Sequence, residues 1–191
     1  MGRKPSNLEA WDAIVLAGGR ATRLVGTPKA DLVVDGHSLL DRTLDAVSGA
    51  TSVVVVGDVE APGAIVVQEE PRFGGPAAAI GAGLAELTSP WVLIAACDYP
   101  FVAGAVDPLL DARTGDGVVA VDAGGRRQHL LCVLSTSALR DAVAAQESLT
   151  DLAVHRLLAP LDLGEIALPA RATLDVDTWH DQEVAEGRSD E

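Results

Sequence analysis

Uninterrupted apolar runs alternate along the chain with amphipathic or alanine-rich stretches, and this alternation predicts strands and helices in turn. A run of β-branched residues without polar alternation is typical of a strand that a sheet buries on both faces. The predicted strands are 12–17, 52–57, 64–67, 91–97, 117–121, 128–134, 166–168 and 173–176.

Helix signals lie between these runs. Ser38 is suited to cap a helix whose apolar side chains, from Leu39 to Val47, recur at helical spacing. The alanine-rich segment 76–87 contains Gly81 and Gly83, which indicate that this helix packs closely against a neighbour. Further helices are predicted at 103–112, 135–145 and 149–158.

Strands that alternate with helices at this spacing favour a parallel sheet, because a parallel connection requires a crossover helix. We therefore predict an α/β fold of three layers, in which helices cover both faces of a mixed, mostly parallel sheet. A chain of 191 residues is sized for one domain. We expect that domain at residues 8–187, with disordered tails at 1–7 and 188–191.

Ligands of such sheets bind beyond the carboxyl ends of the strands. We therefore expect the functional residues in the loops after Ala17, Val67 and Cys97.

Composition excludes several classes of protein. Hydrophobic residues make up 48% of the chain and charged residues 22%, which argues against wholesale disorder, collagen and coiled coil. The longest apolar runs fall well short of the ~20 residues that a membrane span needs. A formal net charge of -14 repels nucleic acid and anionic lipid, so we expect neither as a partner. Cys97 and Cys132 lie inside apolar runs and no signal peptide precedes the first strand, so we expect buried thiols and a cytoplasmic protein.

The negative charge is unevenly distributed. The stretch from Leu16 to Ala30 carries Arg20, Arg23 and Lys29 and contains no acid. From Asp175 to Glu191, by contrast, seven acids accompany a single arginine. The segment directly after the first predicted strand is therefore positively charged, and it could attract a phosphate ligand that the rest of the protein repels.

Gly18 and Gly19 end that strand and favour a phosphate-binding loop. Glycines at this point let backbone N–H groups approach a phosphate closely, and Arg23 and Lys29 supply positive charge for its oxygens. The alternative is a tight turn with solvated cations. The spacing matches neither the dinucleotide-binding Gly-x-Gly-x-x-Gly fingerprint nor a Walker A loop.

Asp98 follows the predicted strand 91–97 and is a candidate magnesium ligand. An acid at the carboxyl end of a central apolar strand is costly to desolvate unless it meets a cation or hydrogen-bond donors. A hard magnesium ion prefers such a carboxylate. The alternative is that Asp98 caps the following helix, and one carboxylate could do both.

The segment Leu16-Ala-Gly-Gly-Arg-Ala-Thr-Arg-Leu-Val-Gly-Thr-Pro-Lys29, followed by a Leu-Leu-Asp-Arg helix, resembles a known signature loop. It is similar to the loop of the MobA-type nucleotidylyltransferases, which include the molybdenum cofactor guanylyltransferases. Two positions depart from the family pattern: Val25 stands where Gly is usual, and Pro28 where Asp is usual.

Three later segments carry the resemblance along the chain in the same order. Glu69-Glu70 before Gly-Gly-Pro-Ala-Ala-Ala-Ile resembles the nucleotide-holding segment of the family, with Glu70 in place of the usual Asp. Cys97-Asp98-Tyr-Pro-Phe resembles the segment whose Asp binds magnesium. Asp175-Val-Asp177-Thr resembles the closing segment, but Trp179 replaces the usual Pro.

The resemblance implies a Rossmann-like nucleotidyltransferase fold and a magnesium-dependent enzyme. Its reaction would move GMP from GTP to molybdopterin carrying molybdenum, forming the guanine dinucleotide and releasing diphosphate. The implied partners are therefore GTP, Mo-molybdopterin, and molybdoenzymes or other cofactor-assembly proteins.

The resemblance also assigns roles to residues. The residues that would bind the nucleotide are Leu16, Ala17, Gly18, Gly19, Lys29, Glu70 and Asp98. Arg23, Lys29 and Asp98 would be catalytic, the two cations by offsetting phosphate charge. Asp98 and Asp177 would hold Mg²⁺, although Asp177 could instead be a helix cap.

Three alternatives remain open. One is a related nucleotidylyltransferase that uses CTP or a sugar phosphate, although the chain is short for the sugar enzymes. Another is a catalytically weakened paralogue that only binds nucleotide, which the departures at Val25, Pro28, Glu70 and Trp179 motivate. The third concerns Arg126 and Arg127, which could contact the acceptor; we favour instead a hairpin turn after Gly124-Gly125.

Overall fold

A seven-stranded sheet organises the computed structural model, which describes residues 9–18, 29–176, 181, 183 and 185–187. The strands are β1 (Trp11–Leu16), β2 (Val33–Val34), β3 (His37–Ser38), β4 (Val53–Val56), β5 (Ile65–Val67), β6 (Trp91–Ala96), β7 (Gly117–Val121), β8 (Arg127–Ser135) and β9 (Leu163–Ala167). The α-helices are α1 (Leu39–Ala46), α2 (Pro76–Leu84), α3 (Ala103–Ala112), α4 (Thr136–Ala144) and α5 (Val154–Leu157), and 3-10 helices lie at Lys29–Asp31 and Ala170–Thr173.

The sheet has the strand order β5-β4-β1-β6-β8-β7-β9, and β2 pairs with β3 in a separate hairpin. Neighbouring strands are parallel except that β8 runs antiparallel to both β6 and β7. The sheet is therefore mixed and mostly parallel, and the predicted fold class is confirmed.

Two apolar layers enclose the sheet. On one face α1 and α3 cover a cluster that includes Val15, Val55 and Leu93. On the other face α2, α4 and α5 cover a cluster that includes Ile14, Ile94 and Leu134. Burying each such side chain contributes about 1.5–3 kcal/mol, so both faces stabilise the sheet strongly.

The central strands bury a polar group only where the chain satisfies it. Asp12 is fully buried at the start of β1. Its Oδ2 accepts hydrogen bonds from the backbone N–H groups of Thr88 and Ser89, at 2.9 and 2.7 Å, and its Oδ1 accepts from the Ser89 hydroxyl at 2.8 Å. These bonds fix the turn that leads into β6.

The two helical glycines behave as predicted. A Cβ on Gly83 would lie 3.0 Å from Ile14 Cγ2 and 3.2 Å from Val56 Cγ2, so the glycine allows α2 to pack closely against β1 and β4. A Cβ on Gly81 would collide with the side chain of Leu149. Ser38 caps α1 as predicted, because its hydroxyl accepts from the Asp41 N–H at 3.0 Å.

Predicted bounds hold well for most elements, and α3 and β7 agree residue for residue. The predicted strand 173–176 is wrong. The chain forms the 3-10 helix Ala170–Thr173 there, and the N–H of Val176 donates to the Asp98 carbonyl at 2.9 Å instead of joining a strand.

Two other elements differ from expectation in the loops. Helix α5 covers only Val154–Leu157 of the predicted 149–158, because Asp151 has a φ of 56° and donates its N–H to the Gly74 carbonyl at 2.7 Å. The β2–β3 hairpin was not predicted. Its turn residues Asp35 and Gly36 have φ values of 50° and 83°, the backbone that an Asp-Gly pair favours in a two-residue hairpin.

Candidate active site

Four parallel strands end level with one another at the carboxyl edge of the sheet. Leu16 pairs with Val56 and with Ala96, and Val56 pairs with Val67. The segments that follow β1, β4, β5 and β6 therefore meet at one edge, where ligands of such sheets bind.

The backbone after β1 is held closely against β4. Ala17 donates its N–H to the Val56 carbonyl at 2.9 Å, and the Leu16 carbonyl accepts from the Cys97 N–H at 3.0 Å. A Cβ on Gly57 would lie 2.9 Å from the Ala17 carbonyl carbon and from the Gly18 nitrogen. Gly57 is thus required for the loop to start in this position, a role that sequence reasoning missed.

Several predicted site residues lie outside the described part of the chain. They are Gly19, Arg23 and Asp177, together with the side chain of Lys29. The backbone of Lys29 begins the 3-10 helix Lys29–Asp31. The structure therefore brings Leu16, Ala17, Gly18 and Asp98 together at the carboxyl edge of the sheet. The roles of the cationic residues Arg23 and Lys29 stay predictions.

Asp98 is half-buried in a turn directly after β6. Its carbonyl accepts the N–H of Val176 at 2.9 Å, which ties the segment before Asp177 to this turn. The N-cap of α3 is Val102, and no side chain caps that helix, so the alternative role of Asp98 as a helix cap is not supported. Tyr99, the next residue, is buried and donates from its hydroxyl to Gln128 Oε1 at 3.2 Å.

Arg42 of α1 also holds the turn, although sequence reasoning gave it no role. Its Nη1 donates to the Pro100 carbonyl at 3.2 Å, and its Nε donates to the Val34 carbonyl at 3.0 Å. Its Nη2 pairs with Asp35 at 3.2 Å, and the guanidinium lies 5.6 Å from the Phe101 ring centroid. Arg42 therefore joins the hairpin after Lys29 to the loop that carries Asp98. The sequence feature that could have indicated a role for Arg42 is the Leu-Leu-Asp-Arg segment, of which it is the last residue.

The two neighbouring glutamates after β5 differ in exposure. Glu69 is 6% exposed and its Oε1 accepts from the Phe73 N–H at 2.9 Å, which makes it a structural residue of the loop. Glu70 is exposed and remains the candidate for nucleotide binding. Gly75 and Pro76 then begin α2 without a side-chain cap, and the positive end of that helix favours an anion nearby.

Arg126 and Arg127 belong to a hairpin turn, as favoured. Arg126 pairs with Asp122 at 3.0 Å, and Arg127 pairs with Glu165 at 2.6 Å. The hydrogen bond from the Arg126 backbone N–H lowers the pKa of Asp122, with a smaller contribution from Gly124. The charge of both arginines is thus matched within the chain.

The described residues contain no group of three or more His, Cys, Asp or Glu side chains placed to hold a metal ion. Magnesium commonly takes one or two carboxylates together with substrate phosphates, and the carboxylate of Asp98 is a ligand of the kind that this ion prefers. Cys97 and Cys132 are buried as predicted, and burial raises the pKa of the Cys132 thiol to about 12. Across the same described part of the chain, no helix is long and apolar enough to cross a membrane.

Comparison with known proteins agrees with this arrangement. Residues 13–165 match the model of the MobA-like NTP transferase domain. The chain is 33% identical to a molybdenum cofactor guanylyltransferase of Cupriavidus metallidurans, over 91% of this chain and 96% of that protein.

Solved structures share the fold. Molybdopterin-guanine dinucleotide biosynthesis protein A of Archaeoglobus fulgidus superposes with a TM-score of 0.71 at 20% identity, covering 92% of this chain and 97% of that chain. A cytidylyltransferase acting on 2-C-methyl-D-erythritol 4-phosphate, from Thermus thermophilus, gives 0.69 at 23% identity, with coverage of 92% and 97%. The predicted Rossmann-like nucleotidyltransferase fold is confirmed.

Proposed function

The chain belongs to the MobA-like NTP transferase family, and on that premise we propose that it transfers GMP from GTP to molybdopterin carrying molybdenum. The observation that carries the proposal is the 33% identity to a molybdenum cofactor guanylyltransferase over 91% of the chain. The loops after β1, β5 and β6, which contain the matching segments, meet at one edge of the sheet and support it.

The reaction needs positioning and charge neutralisation more than proton transfer. A phosphate oxygen of the acceptor attacks the α-phosphorus of GTP, and the bond from that phosphorus to the bridging oxygen breaks. Diphosphate leaves with the electron pair. Because the acceptor phosphate is already an anion at neutral pH, no general base is required.

The loop after β1 binds the nucleotide in this proposal. Its start, Leu16 to Gly18, is fixed by the hydrogen bond from Ala17 to Val56 and by the space that Gly57 leaves. Gly19 continues it, and Glu70 offers a carboxylate to donor groups of the nucleotide from the loop after β5.

Arg23 and Lys29 neutralise phosphate charge. GTP brings several negative charges to a protein whose own net charge is -14, so attraction has to be local. The acid-free stretch from Leu16 to Ala30 supplies it. Together Arg23 and Lys29 offset charge on the departing diphosphate and on the α-phosphate.

Asp98 and Asp177 are the proposed residues for Mg²⁺. Val176 is hydrogen-bonded to the Asp98 carbonyl, and Asp177 is the next residue in the chain, which supports pairing these two carboxylates on one ion. A bound magnesium ion supplies charge neutralisation for phosphate oxygens. Asp98 itself is oriented by the turn that Val176 and Arg42 hold.

A cytidylyl transfer is the second candidate, since a cytidylyltransferase shares the fold. The test mixes the purified protein, magnesium, molybdopterin and each of the four NTPs in turn, and measures diphosphate release. Of the four NTPs, only GTP is expected to release diphosphate in the presence of molybdopterin. Release with CTP instead would replace the guanylyl assignment, and GTP binding without turnover would indicate a nucleotide-binding module.

A further inference from the structure

Side-chain hydrogen bonds connect the turn that carries Asp98 to the hairpin between β7 and β8. Tyr99 follows Asp98, is 6% exposed, and donates from its hydroxyl to Gln128 Oε1 at 3.2 Å. Gln128 Nε2 donates to Asp122 Oδ2 at 2.8 Å. Gln128 lies near the start of β8 and Asp122 directly follows β7, so these bonds join two loops at the carboxyl edge of the sheet. Tyr99, Gln128 and Asp122 are called the Gln128 network below.

Asp122 is the anchored end of the Gln128 network. Its side chain is 10% exposed. Its Oδ1 accepts the backbone N–H groups of Gly124 and Arg126 at 2.8 and 3.0 Å, and its Oδ2 accepts from Arg126 Nε at 3.0 Å. The backbone N–H of Arg126 also lowers the pKa of Asp122, which keeps this side chain an ionised carboxylate at neutral pH.

The ionised Asp122 decides which way the Gln128 amide faces. A carboxylate only accepts hydrogen bonds, so the NH₂ group of Gln128 has to point at Asp122 and its carbonyl oxygen has to point at Tyr99. The Tyr99 hydroxyl is then the donor. Each hydrogen bond of the network therefore has one direction, and the position of the Tyr99 ring depends on where Asp122 holds the Gln128 amide.

The Gln128 network holds the turn through a side chain, whereas the contacts described above hold its backbone. Val176 bonds to the Asp98 carbonyl, and Arg42 bonds to the Pro100 carbonyl. Tyr99 lies between those two residues, so a movement of its ring is passed directly to the backbone that carries the Asp98 carboxylate. Misplacement of a reacting group by 1 Å can cost on the order of 100-fold in rate, so a small movement of this turn matters.

We propose that Gln128 is a positioning residue for nucleotidyl transfer. With Asp122 it sets the place of the Tyr99 ring, and thereby the place of the Asp98 carboxylate. The inference rests on the proposed function, because it requires that Asp98 acts in the reaction. The competing explanation is that the network stabilises the β7–β8 hairpin and has no effect on the reaction.

The first test removes the hydrogen bond between Gln128 and Tyr99 from each side. Gln128→Met keeps the length of the side chain, and Tyr99→Phe keeps the ring without its hydroxyl. We expect each variant to lower kcat for diphosphate release from GTP and molybdopterin about tenfold, with the KM for GTP little changed. The double variant should lose no more than either single variant, because both changes break the same bond.

Gln146→Met is the matched control for Gln128→Met. Gln146 is another half-buried glutamine, and its Nε2 donates to the Ala142 carbonyl of α4, on the opposite face of the sheet. We expect Gln146→Met to keep the kcat of the wild type.

A second test exchanges donor and acceptor within the network. Gln128→Glu alone places a second carboxylate against Asp122, so we expect about the same tenfold loss of kcat. Combined with Asp122→Asn, it restores the pairing, because the new amide donates to the new carboxylate and that carboxylate still accepts from Tyr99. The combined variant should recover most of the lost kcat.

Tyr99 is the single tyrosine of the chain, which allows a measurement that needs no turnover. In protein labelled with ¹³C at the tyrosine Cζ, one NMR signal reports the hydrogen bond of the hydroxyl. We expect Gln128→Met to shift this signal and Gln146→Met to leave it unchanged. The combination of Gln128→Glu with Asp122→Asn should keep it close to its wild-type position.

Three results would overturn the proposal: equal kcat in Gln128→Met and Gln146→Met, additive losses in Gln128→Met and Tyr99→Phe, or no recovery on combining Gln128→Glu with Asp122→Asn. A loss of kcat in Gln128→Met that only follows a lower midpoint of thermal unfolding would also contradict it and indicate a structural role. Failure of the proposed function has a different signature. The wild type itself would then release no diphosphate from GTP and molybdopterin, while the Tyr99 signal would still shift in Gln128→Met.

Discussion

Two carboxylates, one at the start of β1 and one in the turn after the neighbouring strand β6, show how differently the two edges of this sheet are built. At the amino edge, Asp12 is fully buried and receives hydrogen bonds from Thr88 and Ser89. At the carboxyl edge, Asp98 is half-buried in a turn beside the loop that Gly18 begins. The hydrogen bonds to Asp12 stabilise the fold, whereas the proposed role of Asp98 depends on its place at the carboxyl edge beside the glycine loop.

Arg113 and Arg42 allow a second comparison of the amino and carboxyl edges of the sheet. Arg113 donates to the Leu110 carbonyl at 2.8 Å and lies 5.5 Å from the ring of Trp91, which begins β6. Arg42 makes the same kinds of contact beyond the end of β6, with Pro100 and Phe101. The two edges thus use similar arginine contacts, and in the proposed function those at the carboxyl edge lie beside the site of reaction.

The largest expected effect is that of Asp98→Asn, which should lower the reaction rate and leave the stability of the fold unchanged. Asp98→Asn keeps the size of the side chain and removes its charge, so it should slow diphosphate release about 100- to 1,000-fold. The midpoint of thermal unfolding should stay close to that of the wild type. An unchanged rate with GTP and molybdopterin would remove Asp98 from the site.

Asp12→Ala should give the reverse pattern. The backbone N–H groups of Thr88 and of the buried Ser89 lose their acceptor, which should lower the free energy of unfolding by about 3 kcal/mol in urea titrations. The rate of diphosphate release per folded molecule should not change. A loss of rate without a loss of stability would contradict the division between the two edges.

Arg42→Gln tests whether the turn after β6 needs its arginine contacts. We expect kcat to fall about tenfold while the KM for GTP changes little, because Arg42 positions the Asp98 turn and not the base. Arg42→Lys should recover part of the loss, and Arg113→Gln is the matched control with normal kcat. Equal effects of Arg42→Gln and Arg113→Gln on kcat would indicate a structural role alone.

The smallest expected effect concerns the start of the phosphate loop. Gly57→Ala would push the loop backbone away by a few tenths of an ångström, and GTP should bind about threefold more weakly. Gly63→Ala is the control, since Gly63 also has a positive φ, 87°, but nothing lies within 4 Å of its Cβ position. Titration calorimetry with GTP distinguishes them, and equal affinities would contradict the role of Gly57.

Most of the fold could be predicted because its central strands consist mainly of apolar residues. Runs such as Val53–Val56 have no other stable place than the centre of a sheet, and α3 ends where its apolar periodicity ends. The prediction of a strand at 173–176 was wrong because alternating apolar residues suit a strand, whereas a hydrogen bond to Asp98 decides the conformation of this segment.

The candidate site was predictable in part for a related reason. Gly18 and Asp98 follow apolar strands, so their place at the carboxyl edge follows from the strand pattern. Arg42 and Gly57 were not predictable in the same way, since their roles depend on Pro100 and Ala17, which only the tertiary fold brings near. The choice between Glu69 and Glu70 likewise depends on which side chain the loop buries.

The most direct test of guanylyl transfer at this edge is a single-turnover assay of Lys29→Ala with GTP and molybdopterin. Lys4→Ala is the matched control, because Lys4 is the other lysine of the chain and lies in the predicted N-terminal tail. We expect Lys29→Ala to slow GMP transfer about 100-fold or more, and Lys4→Ala to transfer GMP at the wild-type rate. Equal rates of GMP transfer in the two variants would contradict the proposed role of Lys29.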